Sequence, residues 1–214
     1  MEPRDEHVNV YDPKGRVAGA RRRDEAGRSG LALGAVNLLL VNSRAEVLLQ
    51  MRPKDKENGL RWDKSVGGHV DAGEDFDAAA VREAGEELFG DPVSPRVRVA
   101  ADEETYRRLL AEVDLHRDIV FRREALQLNL RDVRVAPDRS VRNVVYHVTS
   151  YLGRTDVAIE AFRPPGGEIA GLRYATAAEV DALLLRGELA PNMAFLWLTH
   201  ARALLSLAGT GSGR

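Results

Sequence analysis

The sequence predicts an α/β fold, and three stretches carry that expectation. Residues 34–41 (GAVNLLLV) form an apolar run, turned by Asn42 to Ala45 into a second strand over Glu46 to Met51. Residues 75–88 are rich in alanine, lack proline and form a helix. Further on, Ile119 to Val135 alternates in places and faces Val141 to Leu152 across the turn 136–140, the pattern of a long hairpin.

At 214 residues the chain is the size of one domain with decoration, large enough for a core. A single domain over residues 1–208 is expected, with an N-terminal hairpin (about 5–30), an insertion (about 91–140) and a disordered tail at 209–214 (GTGSGR). A hydrophobic fraction of 44% beside 30% charged residues is that of a soluble globular protein. The net charge of −2 gives no basic patch, so nucleic acid as a bulk polyanion is not an expected partner. There is no cysteine, which excludes disulfides, thiolate metal sites and a cysteine nucleophile. No apolar run reaches the length of a membrane span and MEPRDEHVNV lacks a signal-peptide core, so the expected setting is the cytoplasm.

Taken in order, His7 to Tyr11 is a short strand ending in the turn Asp12-Pro13-Lys14-Gly15, with Arg16 to Ala20 as hairpin partner. Arg21, Arg22 and Arg23 read as a solvated charge run balanced by Asp24 and Glu25 rather than as a phosphate clamp. After the apolar strand pair, residues 52–64 form a polar loop that delivers the chain to Ser65-Val66-Gly67-Gly68. Arg52, Lys54 and Lys56 in that loop are candidate phosphate-binding cations, against a bland role in solubility for each.

The helix over residues 75–88, with Asp75 as N-cap, is the stretch that points to chemistry. At about 100° per residue, Phe76, Ala80, Ala84, Leu88 and Val81 share an apolar face. Glu83 and Glu87 project toward that face and Glu86 lies beside it, while Asp75, Asp77, Ala78, Arg82 and Gly85 form the solvated side. Glu83 and Glu87 are like charges at i, i+4, which repel, and partial burial raises the cost unless a cation neutralises them. Three carboxylates within one turn supply the hard oxygen ligands that Mg²⁺ or Mn²⁺ prefers. Glu-x-x-Glu-Glu alone is more often a solvated acidic face. Arg82 can reach back to Glu74 at the loop–helix junction, an orienting role behind the ligands.

The full pattern is longer than that helix. Gly68, five residues, Glu74, seven residues and then Arg82-Glu83-Ala84-Gly85-Glu86-Glu87 is similar to the Nudix box, Gly-x5-Glu-x7-Arg-Glu-apolar-x-Glu-Glu-x-Gly-apolar. Where the box has its last glycine this chain has Phe89, with Gly90 one step later. The order strand, turn, strand, loop, glycine pair, helix also matches the Nudix arrangement, an α/β/α sandwich around a central mixed β-sheet. Within that superfamily the N-terminal hairpin, VNSRAEVLLQMRP and WDKSVGGHV resemble the isopentenyl-diphosphate-isomerase-like group.

The resemblance implies that Glu83, Glu86, Glu87 and the Gly68 carbonyl hold the metal. It implies too that one of Glu86, Glu87 or Glu168 acts as base, Glu168 standing in the loop where several Nudix proteins place a further glutamate. The remaining chain reads as scaffold. Asp102 to Val113 is a helix with Tyr106, Leu109, Leu110 and Val113 on one stripe, and His116 is isolated. Thr176 to Glu179 is a capping box. Pro191 opens a last helix whose Phe195, Trp197, Leu198, Ala201, Leu204 and Leu205 are expected mostly in the core.

The expected activity is divalent-metal-dependent hydrolysis of the pyrophosphate in a nucleoside, or other organic, diphosphate linked to a group X. The alternatives are an isopentenyl-diphosphate isomerase, which in that group uses a cysteine this chain lacks, and a nucleotide-binding module without turnover. The expected partner is a small-molecule diphosphate. Trp62 and Tyr146 could stack on a base or lie in the core. The family resemblance adds a homodimer.

Overall fold

The computed structural model describes residues 7–27, 29–135 and 141–209. The expected turn at 136–140 and residues 210–214 of the expected tail lie outside the described residues. Gly209, expected in that tail, belongs instead to a 3-10 turn over Leu207–Gly209, which buried Leu207 anchors to the core.

The N-terminal hairpin pairs β1 (His7–Tyr11) with β2 (Val17–Arg22), and Arg23–Ala26 adds one helical turn, α1. Then follow β3 (Ala32–Val41), β4 (Val47–Met51), β5 (Trp62–Asp63), β6 (Val66–His69) and α2 (Phe76–Phe89). The second half supplies β7 (Val97–Ala100), α3 (Glu103–Glu112), β8 (Ile119–Val135), β9 (Val141–Arg154), β10 (Gly171–Ala175), α4 (Ala177–Leu185) and α5 (Pro191–Ser206). The spine of the sheet runs β10-β4-β3-β9-β8-β7. The β3–β9 and β7–β8 pairs are parallel and the others antiparallel, so the sheet is mixed, as expected.

β3 is apolar along its length because both of its faces are covered. Val36, Leu38 and Leu40 pack under α2, whereas Leu39 and Val41 pack with Leu196, Trp197 and Leu204 of α5 on the other face. Each such leucine, fully out of water, contributes roughly 2 kcal/mol. One edge of β3 forks: residues Ala35 to Leu38 pair with β6, and Val41 pairs with β4. A cleft opens in that fork.

α2 begins and ends where its residues dictate. The Asp75 side chain accepts from the Ala78 N–H at 2.8 Å. Gly90, at φ 67°, supplies the left-handed cap, and its N–H bonds the Glu86 carbonyl. The helix therefore includes Phe89, one residue beyond the expected end. Asp77 ties its first turn to the sheet, accepting from the Tyr151 hydroxyl at 2.6 Å and from Arg123 at 2.8 Å.

Two residues assigned to the solvated side of α2 are not there. Gly85 is buried because the exit loop folds back over it, and a Cβ at that position would stand 2.2 Å from the Asp91 carbonyl oxygen. Backbone cannot yield as a side chain does. Gly85→Ala should therefore destabilise the protein by about 1–3 kcal/mol despite alanine's better helix propensity. A thermal melt at or above the wild-type value would contradict this. Arg82, the second residue, folds back into the site described below.

Of the α5 residues expected mostly in the core, Trp197, Ala201, Leu204 and Leu205 pack there and two do not. Leu198 is 73% exposed and Phe195 lies at the surface, because Met193, Leu196, Trp197, His200 and Leu204 already fill the inward stripe. β7 was not foreseen: four residues are too few for a period, and the strand is defined by its parallel pairing with β8.

Candidate active site

The site is built where β6 meets α2. β6 lays Gly67 and Gly68 against Asn37 and Val36 of β3, and α2 crosses above them. A Cβ on Gly68 would fall 1.9 Å from Glu83 Cδ, so the carboxylate rests on bare backbone. That contact needs glycine for space alone.

Arg82 is the hub. Its side chain, only 17% exposed, binds Glu74 through Nε (2.8 Å) and Nη2 (3.0 Å), a bidentate pair. Nη2 also donates to the His69 carbonyl at 2.9 Å, and Nη1 donates to Glu83 (3.0 Å) and Glu86 (3.2 Å). Burial alone would lower its pKa, but the hydrogen bonds to Glu74 and the charges of Glu83, Asp71 and Glu74 hold it above the usual arginine value. The expected reach to Glu74 is thus present, together with contacts to two of the three helix glutamates.

The acids pay for this crowding. Burial pushes Glu83 up to about 7, against the charge and hydrogen bond of Arg82, with Glu86 and Asp71 adding to the rise. Burial also pushes Glu87 up to about 8; the charge of Glu83 adds, while Lys64 and the Gly67 N–H oppose. Among the described residues Glu87 has only two long hydrogen bonds, 3.4 Å from Gln50 Nε2 and 3.4 Å from the Gly67 N–H. Arg82 draws Glu74, Glu83 and Glu86 around itself, and no three acidic or histidine side chains among the described residues stand ready to enclose a metal ion.

Glu83, Glu86 and Glu87 line a cleft of about 1200 Å³, together with Gly68, Arg52, Lys56 and Glu168. Glu168 lies 3.7 Å from Lys56 Nζ, and both are partly exposed. Arg52 spends its guanidinium on Asp63 (2.9 Å) and on the Glu57 carbonyl (2.6 Å). Lys54 is exposed and outside the lining, in a tight turn closed by the Lys56 N–H on the Pro53 carbonyl. Tyr146 is buried yet lines the cleft, its ring 5.9 Å from that of His69, whereas Trp62 packs under Arg173 at 4.3 Å. His116 is exposed and takes no part.

The sequence missed Asp63 and Lys64. Both are buried charges that line the cleft, and the one available signal was their place directly before Ser65-Val66-Gly67-Gly68.

The NUDIX domain family model matches residues 31–196, most of the chain and every residue of this site except Arg23 at the rim. The chain belongs to the NUDIX domain family. An uncharacterized Nudix hydrolase of Streptomyces coelicolor, SCO1686, is 37% identical over 89 residues, which cover 41% of this chain. The match spans about half of that relative's length, 49%. In fold, this Nudix protein resembles the crystal structure of DR0079 from Deinococcus radiodurans, with a TM-score of 0.58 and 22% identity over 93% of this chain and 99% of that one.

Proposed function

We propose that this Nudix protein is a divalent-metal-dependent hydrolase that cleaves the pyrophosphate of a nucleoside, or other organic, diphosphate linked to a group X. The observation that carries the reading is the placement of Glu83 and Glu87, largely out of water, beside the bare backbone of Gly67 and Gly68. Acids so placed are stable only when protonated or paired with a cation. Glu87, with two long hydrogen bonds, lacks a strong partner. The donor set suits a hard ion, Mg²⁺ or Mn²⁺, held by Glu83, Glu86, Glu87 and the Gly68 carbonyl. When bound, such an ion neutralises charge on the phosphate oxygens and makes water more acidic.

The chain's own groups do the rest. Arg82, anchored by Glu74 and the His69 carbonyl, orients Glu83 and Glu86 from behind. One of Glu86, Glu87 or Glu168 takes the proton of the attacking water as its oxygen joins phosphorus and the P–O–P bridge breaks. The products are a phosphate ester and a second phosphoryl fragment. Arg52 and Lys56 supply positive charge along the cleft. The strand pair and Gly-Gly-His segment favour the isopentenyl-diphosphate-isomerase-like group within the family, with hydrolysis as the chemistry because no cysteine is present. The cytoplasm is the setting proposed.

The test is phosphate release from nucleoside diphosphates, nucleotide sugars, dinucleotides and isoprenoid diphosphates with Mg²⁺ and with Mn²⁺. Release from at least one class is expected, and none from any class would overturn the reading. Gly68→Ala gives a local check. The new Cβ displaces the flexible end of Glu83 rather than backbone, so the fold should hold while turnover falls about 10²-fold. Unchanged turnover would remove Glu83 from the site.

A further inference from the structure

The most enclosed cation of the cleft belongs to Lys64, which lies outside the Nudix box. It stands between β5, paired to β4 through Asp63 and Gln50, and β6, paired to β3. Its side chain is 10% exposed and lies across Gly67, where a Cβ would fall 2.0 Å from Lys64 Cε and 2.9 Å from Nζ. Glycine at 67 thus leaves the ammonium its path into the cleft, whose lining Lys64 shares with Arg52, Gly67 and Glu87.

An ammonium carries three donors and needs acceptors when it leaves water. Among the described residues Nζ makes no hydrogen bond, and the acid oxygen it is ion-paired with, Asp63 Oδ1, is 3.6 Å away, beyond hydrogen-bond length. Asp63 is already engaged, accepting from Arg52 Nη1 at 2.9 Å and from the Lys64 backbone N–H at 2.8 Å. Two cations therefore share one buried carboxylate, and the trio carries one net positive charge, that of Lys64 and Arg52 less that of Asp63. The three lie in the same cleft as the acidic cluster, so it offers opposite charges to a ligand that itself carries several negative oxygens.

We infer that Lys64, with Arg52 beside it, seats the non-bridging oxygens of one phosphoryl group of the substrate, a different group from the one engaged through Glu83, Glu86 and Glu87. Asp63 keeps the two cations apart and aimed at the cleft. That the anion is part of a diphosphate rests on the hydrolase reading; that an anion binds at Lys64 does not. The competing role is structural: the Lys64 charge would merely offset Glu87.

Calorimetric titration with inorganic pyrophosphate in EDTA separates the two, using wild type, Lys64→Met and Lys64→Arg, each checked by thermal melt. Wild type should bind pyrophosphate without metal. K64M should bind it about 10- to 100-fold more weakly, and K64R, which keeps the charge, should recover most of the loss. With any substrate found in the phosphate-release panel, K64M should raise KM more than it lowers kcat. Wild type that binds no pyrophosphate in EDTA, or folded K64M that binds it as tightly as wild type, overturns the inference. Lys64-dependent binding with no turnover across the panel would sustain the anion seat and retire the hydrolase.

Discussion

Glu87→Gln should lower metal-dependent phosphate release by at least about 10²-fold while leaving the fold intact. Glutamine keeps the shape and can still meet the Gly67 N–H and Gln50, so no packing is lost. What disappears is a charge that burial and Glu83 both disfavour. The same variant should therefore melt higher than wild type at pH 8 in EDTA, since a buried charge without a strong partner is removed. Lost activity coupled to gained stability is the signature expected of a functional acid. Retained turnover in E87Q, or a lower melting temperature at pH 8 without metal, would remove Glu87 from that role.

The second large effect is on the pH dependence of stability. Glu83 and Glu87 both hold protons more tightly when folded, at about 7 and about 8 against an ordinary 4.5. Between pH 4.5 and 8 the metal-free folded protein then binds more protons than the unfolded chain, so stability falls as pH rises through that window. Carboxylates held low by their partners, such as Asp63 and Glu46, are ionised in both states above about pH 5.5 and add no slope there. In EDTA the melting temperature should drop between pH 5.5 and 8.5, on the order of 5 °C or more for a chain of this size. Saturating Mg²⁺ or Mn²⁺ should flatten the slope and raise the value at pH 8, because the ion binds the charged acids of the folded state. A metal-free melting temperature that rises over this range would contradict the buried-acid account.

Much of this was legible in the sequence, for local reasons. Asp75 and the Ala-rich run announce α2, and the spacing from Gly68 through Glu87 is a pattern along one chain segment. The hairpin of β8 and β9 shows in its alternation. Less legible were features set by chain folding back on itself. A helical wheel gives the direction in which Arg82 leaves the axis, yet its long side chain returns to Glu74, Glu83 and Glu86. Gly85 is covered by the Asp91 carbonyl of a loop that no periodicity describes. Lys64 looked like one more polar loop residue because the space over Gly67 exists only once β5 and β6 have joined different strands.

In the proposed enzyme a divalent ion replaces protons as the counter-charge of Glu83, Glu86 and Glu87, with Arg82 anchored behind them by Glu74. Anomalous diffraction from crystals soaked in Mn²⁺ with a diphosphate tests it most directly. The predicted result is a manganese peak among those three carboxylates and the Gly68 carbonyl, with Arg82 still bound to Glu74. A map with no peak among those carboxylates would contradict it.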